Sequence, residues 1–338
     1  MAIPYRTRKM IQRVCLIVLA VLLALALVFG CWLLWLHKFI RYTADGAVLD
    51  FDMPPMSQDG QLAVPPVQQE TIPIYYNEGD NAINTDKELT QLVGYYITVE
   101  DLQNIDEVKA QVRNLPNGTP VMVDVKSIYG SFYYSSSVSD LRNSAIDTAA
   151  MDQLLQQLKQ SGAYTIARLP ALRDKAYGLE HDEDGVFHSS RGYLWMDDEG
   201  CYWLNPSREG TISHIVAIVN ELKNLGFNEV VFYDFRFPET SNIYVEGDQS
   251  KAIATAAQNL VTACATDYFA VSFVGKADFP LPEGRSRLYV ESSVAAEAAG
   301  LAERTGLEDP LTRLVFLTEN HDTRFDAYSV LRPISGAH

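Results

Sequence analysis

Basic residues are scarce in this 338-residue chain once its N-terminus is passed, and cysteines are few. The first 38 residues carry five Lys and Arg and no acidic residue, so the 27 basic residues of the chain fall to 22 against 43 Asp and Glu in the remainder. A surface of that sign repels nucleic acid and anionic lipid, which argues against either as a partner of the main body and does not identify one. Of the four cysteines, Cys15 and Cys31 fall in an apolar run; Cys201 and Cys264 remain, enough for one disulfide but not for a scaffold built on disulfides. The sequence has no H-E-x-x-H pair, P-loop, EF-hand loop or G-x-S-x-G elbow. No Gly-rich turn follows the first β-rich run, so a nucleotide has no cradle. Neither a cofactor nor a metal is implied, because Glu319, His321 and Asp322 in "ENHDTRFD" have no second histidine spaced to help them.

What the chain does have begins at Val14–Leu36, a charge-free run long enough to cross a bilayer as a helix. Arg6, Arg8, Lys9 and Arg13 precede it without an acidic neighbour, which keeps the N-terminus in the cytoplasm and the rest outside. Trp32 and Trp35 at the end of the run and His37 after it stand where a cleavage site would need small residues, so an uncleaved anchor is expected rather than a signal peptide. The domain reading is therefore a cytoplasmic segment 1–13, an anchor helix 14–36, a Pro-containing stalk 37–88 with no period that builds an element, and a folded body 89–338.

In the body, short β-rich runs alternate with helical patterns. The runs are "GYYITV", "VMVDVKS", "AYTIARLPAL", "EVVFYDFRF", "YFAVSFVG", "SRLYVES" and "TRLVFLTEN". Helices are expected from about Glu100, over Met151–Lys159, around Ile212, Ile215, Val216, Val219 and Leu222, over Gln249–Cys264 and over Ala295–Arg304. Seven or eight strands in that alternation predict an α/β fold of the (β/α)8 barrel type, incomplete or degenerate toward its C-terminal end. Chemistry in such a barrel sits at the C-terminal ends of the strands. Those ends carry Asp124 and Lys126, Arg168, Asp234 and Arg236, Ser272, Glu291, and the group Glu319, His321 and Asp322. The long loop from Arg173 to Pro206 brings Trp195, Tyr202 and Trp203, which either stack on sugar rings or close the loop over the rim.

Four stretches in order, "VMVDVKSIYGSFYYSS", "GAYTIARLPALRDK", "WMDDEGCYWLNP" and "GFNEVVFYDFRFP", resemble the glycoside-hydrolase-type domain of bacterial surface proteins, the DUF4015 family. The resemblance implies a carbohydrate-active barrel related to the α-amylase-like folds, well matched over Tyr95 to Pro238. It also exposes a departure. The family's fourth strand reads F-D-Y-x-R-F-P, and its Asp falls on Tyr233 here, with Asp234 one position late. Because strand side chains alternate, one step turns the carboxylate to the other face unless a bulge restores it. A second expected carboxylate, three residues before a Gly after the fifth strand, is Ser272.

Glycoside hydrolysis ordinarily needs two carboxyl groups, about 5–5.5 Å apart for retention and about 6.5–9.5 Å for inversion. The candidates are Asp234 as nucleophile, with Asp124, Glu291 or Glu319 as acid or base. Arg168, Arg236, Tyr233, Lys126, Trp195, Trp203 and His321 are the expected substrate contacts. Against them stands an Asp234 locked to Arg236 or Arg168, its pKa lowered by the guanidiniums. The expectation is an anchored extracytoplasmic hydrolase acting on cell-wall or environmental glycan. The alternatives are a catalytically inactive glycan-binding protein and an envelope scaffold on the same barrel.

Overall fold

The computed structural model describes residues 88–190 and 192–336, together with Leu25 and the segments 40–43 and 46–49. The anchor read at 14–36 lies outside these residues apart from Leu25. Among the described residues no helix is long and apolar enough to cross a membrane. Within the first of two compact units, Ile40–Thr43 pairs antiparallel with Gly46–Leu49. That pairing is an element where the reading of 37–88 expected none, and both short runs carry β-forming residues.

The second unit holds a closed barrel. Its strands are β1 (Val93–Ile97), β2 (Val121–Asp124), β3 (Thr165–Pro170), β4 (Glu229–Tyr233), β5 (Ala270–Val274), β6 (Leu288–Glu291), β7 (Leu314–Leu317) and β8 (Ser329–Pro333). All eight pair in parallel and in chain order, and β8 returns to β1. The strand set is therefore complete. The eighth strand was not among the expected runs, and it follows β7 after a loop without a helix. The degeneracy lies in the outer layer instead, since among the described residues no helix links β5 to β6 or β7 to β8.

Around the first half lie α1 (Ile105–Arg113), α2 (Thr148–Gln160), α3 (Lys175–Glu180), α4 (Glu209–Leu225) and α5 (Gln249–Cys264); α6 (Ala298–Thr305) follows β6. The expected start near Glu100 turns out to be a separate turn, Val99–Leu102, held by a capping box between Thr98 and Asp101. Helix α4 buries Ile215, Ile218, Val219 and Leu222 and ends where Gly226 takes φ 96°, a conformation open to glycine at little cost. Each such aliphatic side chain contributes about 1.5–3 kcal/mol by leaving water.

Strand alternation divides the core in two. Val121, Val123, Ala167, Leu169, Val230, Phe232, Val271 and Phe273 face outward onto the helices. Met122, Ile166, Val231, Tyr289, Val315 and Leu331 fill the barrel. At the N-terminal end the filling becomes ionic. Glu229, the first residue of β4, is fully buried and pairs with buried Arg287 at 2.5 Å. Its oxygens also accept hydrogen bonds from Tyr164 (3.0 Å), Tyr289 (3.0 Å) and Ser272 (2.5 Å). Ser272, expected at a strand end beside the site, thus belongs to this internal plug. It lies in mid-strand opposite Val231.

Candidate functional site

The inward side chains that reach the C-terminal end are Asp124 from β2, Arg168 from β3, Tyr233 from β4 and Glu291 from β6, joined by Tyr96 from β1. Each continues the inward alternation of its strand, and Asp124 is aligned with Arg168 by strand pairing. Arg168 is the hub. Its Nε lies 3.7 Å from Asp124 Oδ1, its Nη2 lies 3.9 Å from Glu291 Oε1, and its guanidinium sits 5.1 Å from the centre of the Tyr233 ring. The ring contact has the distance of a cation–π interaction.

Asp124 is the most perturbed of these carboxyls. Burial raises its pKa to about 6, although Arg168 and a hydrogen bond from the Val99 amide (3.1 Å) work in the opposite direction. Its Oδ1 and Arg168 Nε are both buried and have no hydrogen-bond partner. They face each other beyond hydrogen-bond reach. Burial and the nearby Asp124 raise the Tyr233 pKa, so that ring is a neutral phenol and not a ready nucleophile.

Two clefts open on this hub. One, about 1160 Å³, is lined by Arg168, Tyr233, Asp234, Arg236, Phe279 and Glu291, among others. The second, about 470 Å³, is lined by Tyr96, Thr98, Arg168, Glu291, Ser292 and Glu319, among others. Asp124, mostly buried beside Arg168, lines neither.

Asp234 takes a different course from the one expected of a nucleophile. Strand β4 ends at Tyr233, and Asp234 adopts φ 51°, the only positive φ of a non-glycine residue among those described. That left-handed step turns its carboxylate to Arg173 (3.6 Å) and Arg236 (3.7 Å). Arg173 also binds Asp197 (2.6 Å) and Glu199 (3.0 Å), and both Arg173 and Arg236 lie over the Trp203 ring. Asp234 is therefore tied to the loop between β3 and α4. Of the two expected partners Arg236 pairs with it, whereas Arg168 serves Asp124 and Glu291 and Arg173 stands in its place. The expected lowering of its pKa is also corrected: burial raises it, outweighing Arg236 and Arg173.

Several predicted contacts are placed elsewhere. Lys126 is buried and bound to Asp174 at 2.6 Å, and Asp174 also meets His214 Nε2 at 3.2 Å. Burial alone would raise the Asp174 pKa, but Lys126 and His214 hold it well below the carboxylate range. Lys126 is thus a strut under the long loop. Trp203 is buried, donates to Asp197 (2.9 Å), and has its ring beside two guanidiniums, so it closes the loop and offers no stacking face. Trp195 is half-buried and lines a cleft of its own. His321 is exposed on the loop after β7, next to Asp322, which is paired with Arg324 at 2.6 Å. Glu319 reaches the smaller cleft. Cys201 and Cys264 are both free and buried.

Tyr96 and Thr98 were missed, although "GYYIT" contains their signal: Leu92 and Tyr96 share the inward alternation of β1. Arg173, Asp174 and Asp197 were missed because their partners are distant in sequence.

No curated protein matches the chain by sequence. Among solved structures, a GH36 alpha-galactosidase from Geobacillus stearothermophilus in complex with raffinose superposes with TM-score 0.50 at 10% identity, over 74% of this chain and 40% of that one. A hypothetical protein from Ruminiclostridium thermocellum gives TM-score 0.45 at 18% identity, over 53% of this chain and 96% of that one. The Flavobacterium johnsoniae chitobiase gives 0.44 at 9%, over 68% and 38%. The chain spans about 40% of the length of the galactosidase, and at these identities the likeness extends to the barrel fold alone. The family model described as "Putative glycosyl hydrolase domain" matches residues 94–271, more than half of the chain, from β1 through the start of β5. The chain belongs to this DUF4015 family.

Proposed function

We propose that this chain is a membrane-anchored, extracytoplasmic glycan-binding barrel whose mouth, centred on Arg168, holds a sugar without hydrolysing it. One observation carries the reading. The fourth strand delivers Tyr233 to the mouth where the family pattern has an Asp, while Asp234 is turned into a loop contact with two arginines. The remaining mouth chemistry suits recognition of hydroxyls: a guanidinium, the rim carboxylates Glu291 and Glu319, Thr98, and the rings of Tyr96 and Tyr233. The charge-free run 14–36 and the basic residues before it support the anchoring and its direction.

The test is a glycan array with the full chain in detergent, followed by hydrolysis assays on every binder. Binding without turnover, weakened at least tenfold by Arg168→Gln, is the expected outcome. A second reading, hydrolysis with Asp124 as acid and Glu291 as base, is favoured by the Asp124 pKa of about 6. It requires Arg168 to move aside. Turnover that falls as pH rises past about 6 and disappears in both Asp124→Asn and Glu291→Gln would establish it and overturn the first reading.

A further inference from the structure

We infer that the ligand of the mouth is an extended polysaccharide chain, gripped at a second, aromatic subsite on the loop between β3 and α4. The inference rests on the glycan-binding reading above and adds the length of the ligand and where its far end lies.

A third cleft, about 690 Å³, opens beside the barrel rim. Its walls include Tyr193, Trp195, Met196 and Tyr202 from the loop and Asn242 from the segment after β4. The two walls are tied together. Phe187–His188 pairs antiparallel with Ile243–Tyr244, and the Ser189 amide donates to the Asn242 carbonyl (2.8 Å). The loop's base is fixed by Arg173, Asp197 and buried Trp203. An aromatic surface on such an anchored loop is preorganised, so little ordering opposes binding.

The clefts are neighbours with lining residues in common. Glu239 lines both the aromatic cleft and the large mouth cleft, and Arg168, Glu291 and Ser292 line both mouth clefts. An extended ligand would lie along this succession of linings, from Trp195 past Glu239 and Arg236 to Arg168, and on to Tyr96 and Glu319. A monosaccharide would occupy one part of it. A linear glycan presents repeated apolar ring faces and hydroxyl edges, which matches an aromatic platform at one end and charged and hydroxyl groups at the other. Half-buried Trp195, with its neighbours Tyr193 (50% exposed) and Met196 (51% exposed), offers apolar and aromatic surface of the kind on which the apolar face of a sugar ring packs.

The experiment is calorimetric titration of the full chain in detergent with cellulose-, chitin- and starch-derived oligosaccharides, each series running from monomer to long oligomer. In the series that binds, affinity should rise with length. Trp195→Ala should weaken the long oligomers about tenfold and leave the shortest binder unchanged, whereas Arg168→Gln should weaken both. Trp195→Phe, which keeps an aromatic face, should recover most of the loss and controls for loop collapse. Affinity independent of length, or equal loss for short and long oligomers in Trp195→Ala, would overturn the extended-ligand inference while leaving the mouth reading in place. If no series binds, both fall.

Discussion

The two ends of the barrel handle buried charge in opposite ways. At the N-terminal end, the Glu229 carboxylate is completely enclosed and receives an arginine, two tyrosines and a serine, while Arg287 also donates to the carbonyls of Thr312 and Thr90. At the C-terminal end, Asp124 and Arg168 meet at 3.7 Å with a polar atom of each left without a partner. A satisfied network rigidifies, and a partly satisfied one retains interaction capacity for something else. The first end is fully satisfied within the fold, and the second is the one where, under the proposed function, a ligand is met.

Removing Glu229 tests the first half of that contrast. Glu229→Ala leaves Arg287 buried without its counter-charge, and chemical denaturation should show a loss of about 3–5 kcal/mol or failure to fold. A loss below about 1 kcal/mol would show that the N-terminal plug is not what holds the barrel.

The next effect is smaller and depends on pH. The folded-state pKa of Asp124, about 6, lies above its unfolded value of about 4, so the folded protein keeps a proton that the unfolded chain releases. That stabilisation is fully present below about pH 4 and is lost as pH rises through about 6, a change of roughly 2–3 kcal/mol. Asp124→Asn should remove this component, so the difference between wild-type and variant stability should change across that window and be flat outside it. A constant difference across the window would mean that the carboxyl titrates normally and the mouth is wetter than its burial indicates.

The smallest stability effect belongs to Arg168→Gln. With Asp124 able to take up a proton once its guanidinium is gone, the expected loss at pH 5 is below about 1 kcal/mol. A loss matching that of Glu229→Ala would erase the distinction between the two ends and make Arg168 a structural residue.

The barrel was legible because its strands are short β-rich runs separated by helical patterns, and seven of the eight could be read that way. The eighth, Ser329–Pro333, is obscured because no helical pattern separates it from Leu314–Leu317, and most other strands stand out by that alternation. The placement of mouth-facing residues was legible where an apolar strand carries a charged residue at or near its end, as with Asp124, Arg168 and Glu291. They were misjudged where a side chain's partner is remote. Lys126 looked like a strand-end contact, and only the approach of Asp174 makes it a strut. Trp203 looked like a stacking ring until Arg173 and Arg236 covered it.

Sequence alone determined the alternation, and with it that a one-residue offset puts Tyr233 rather than a carboxylate toward the mouth. It also determined the family pattern from which this chain departs. Tertiary structure decided where Asp234 goes, because φ is set by a turn that must dock against Arg173, Arg236 and Trp203. It decided the protonation of Asp124 for the same reason: a carboxyl's pKa depends on the water it loses and the charges that surround it, and both come from distant segments meeting at the barrel mouth.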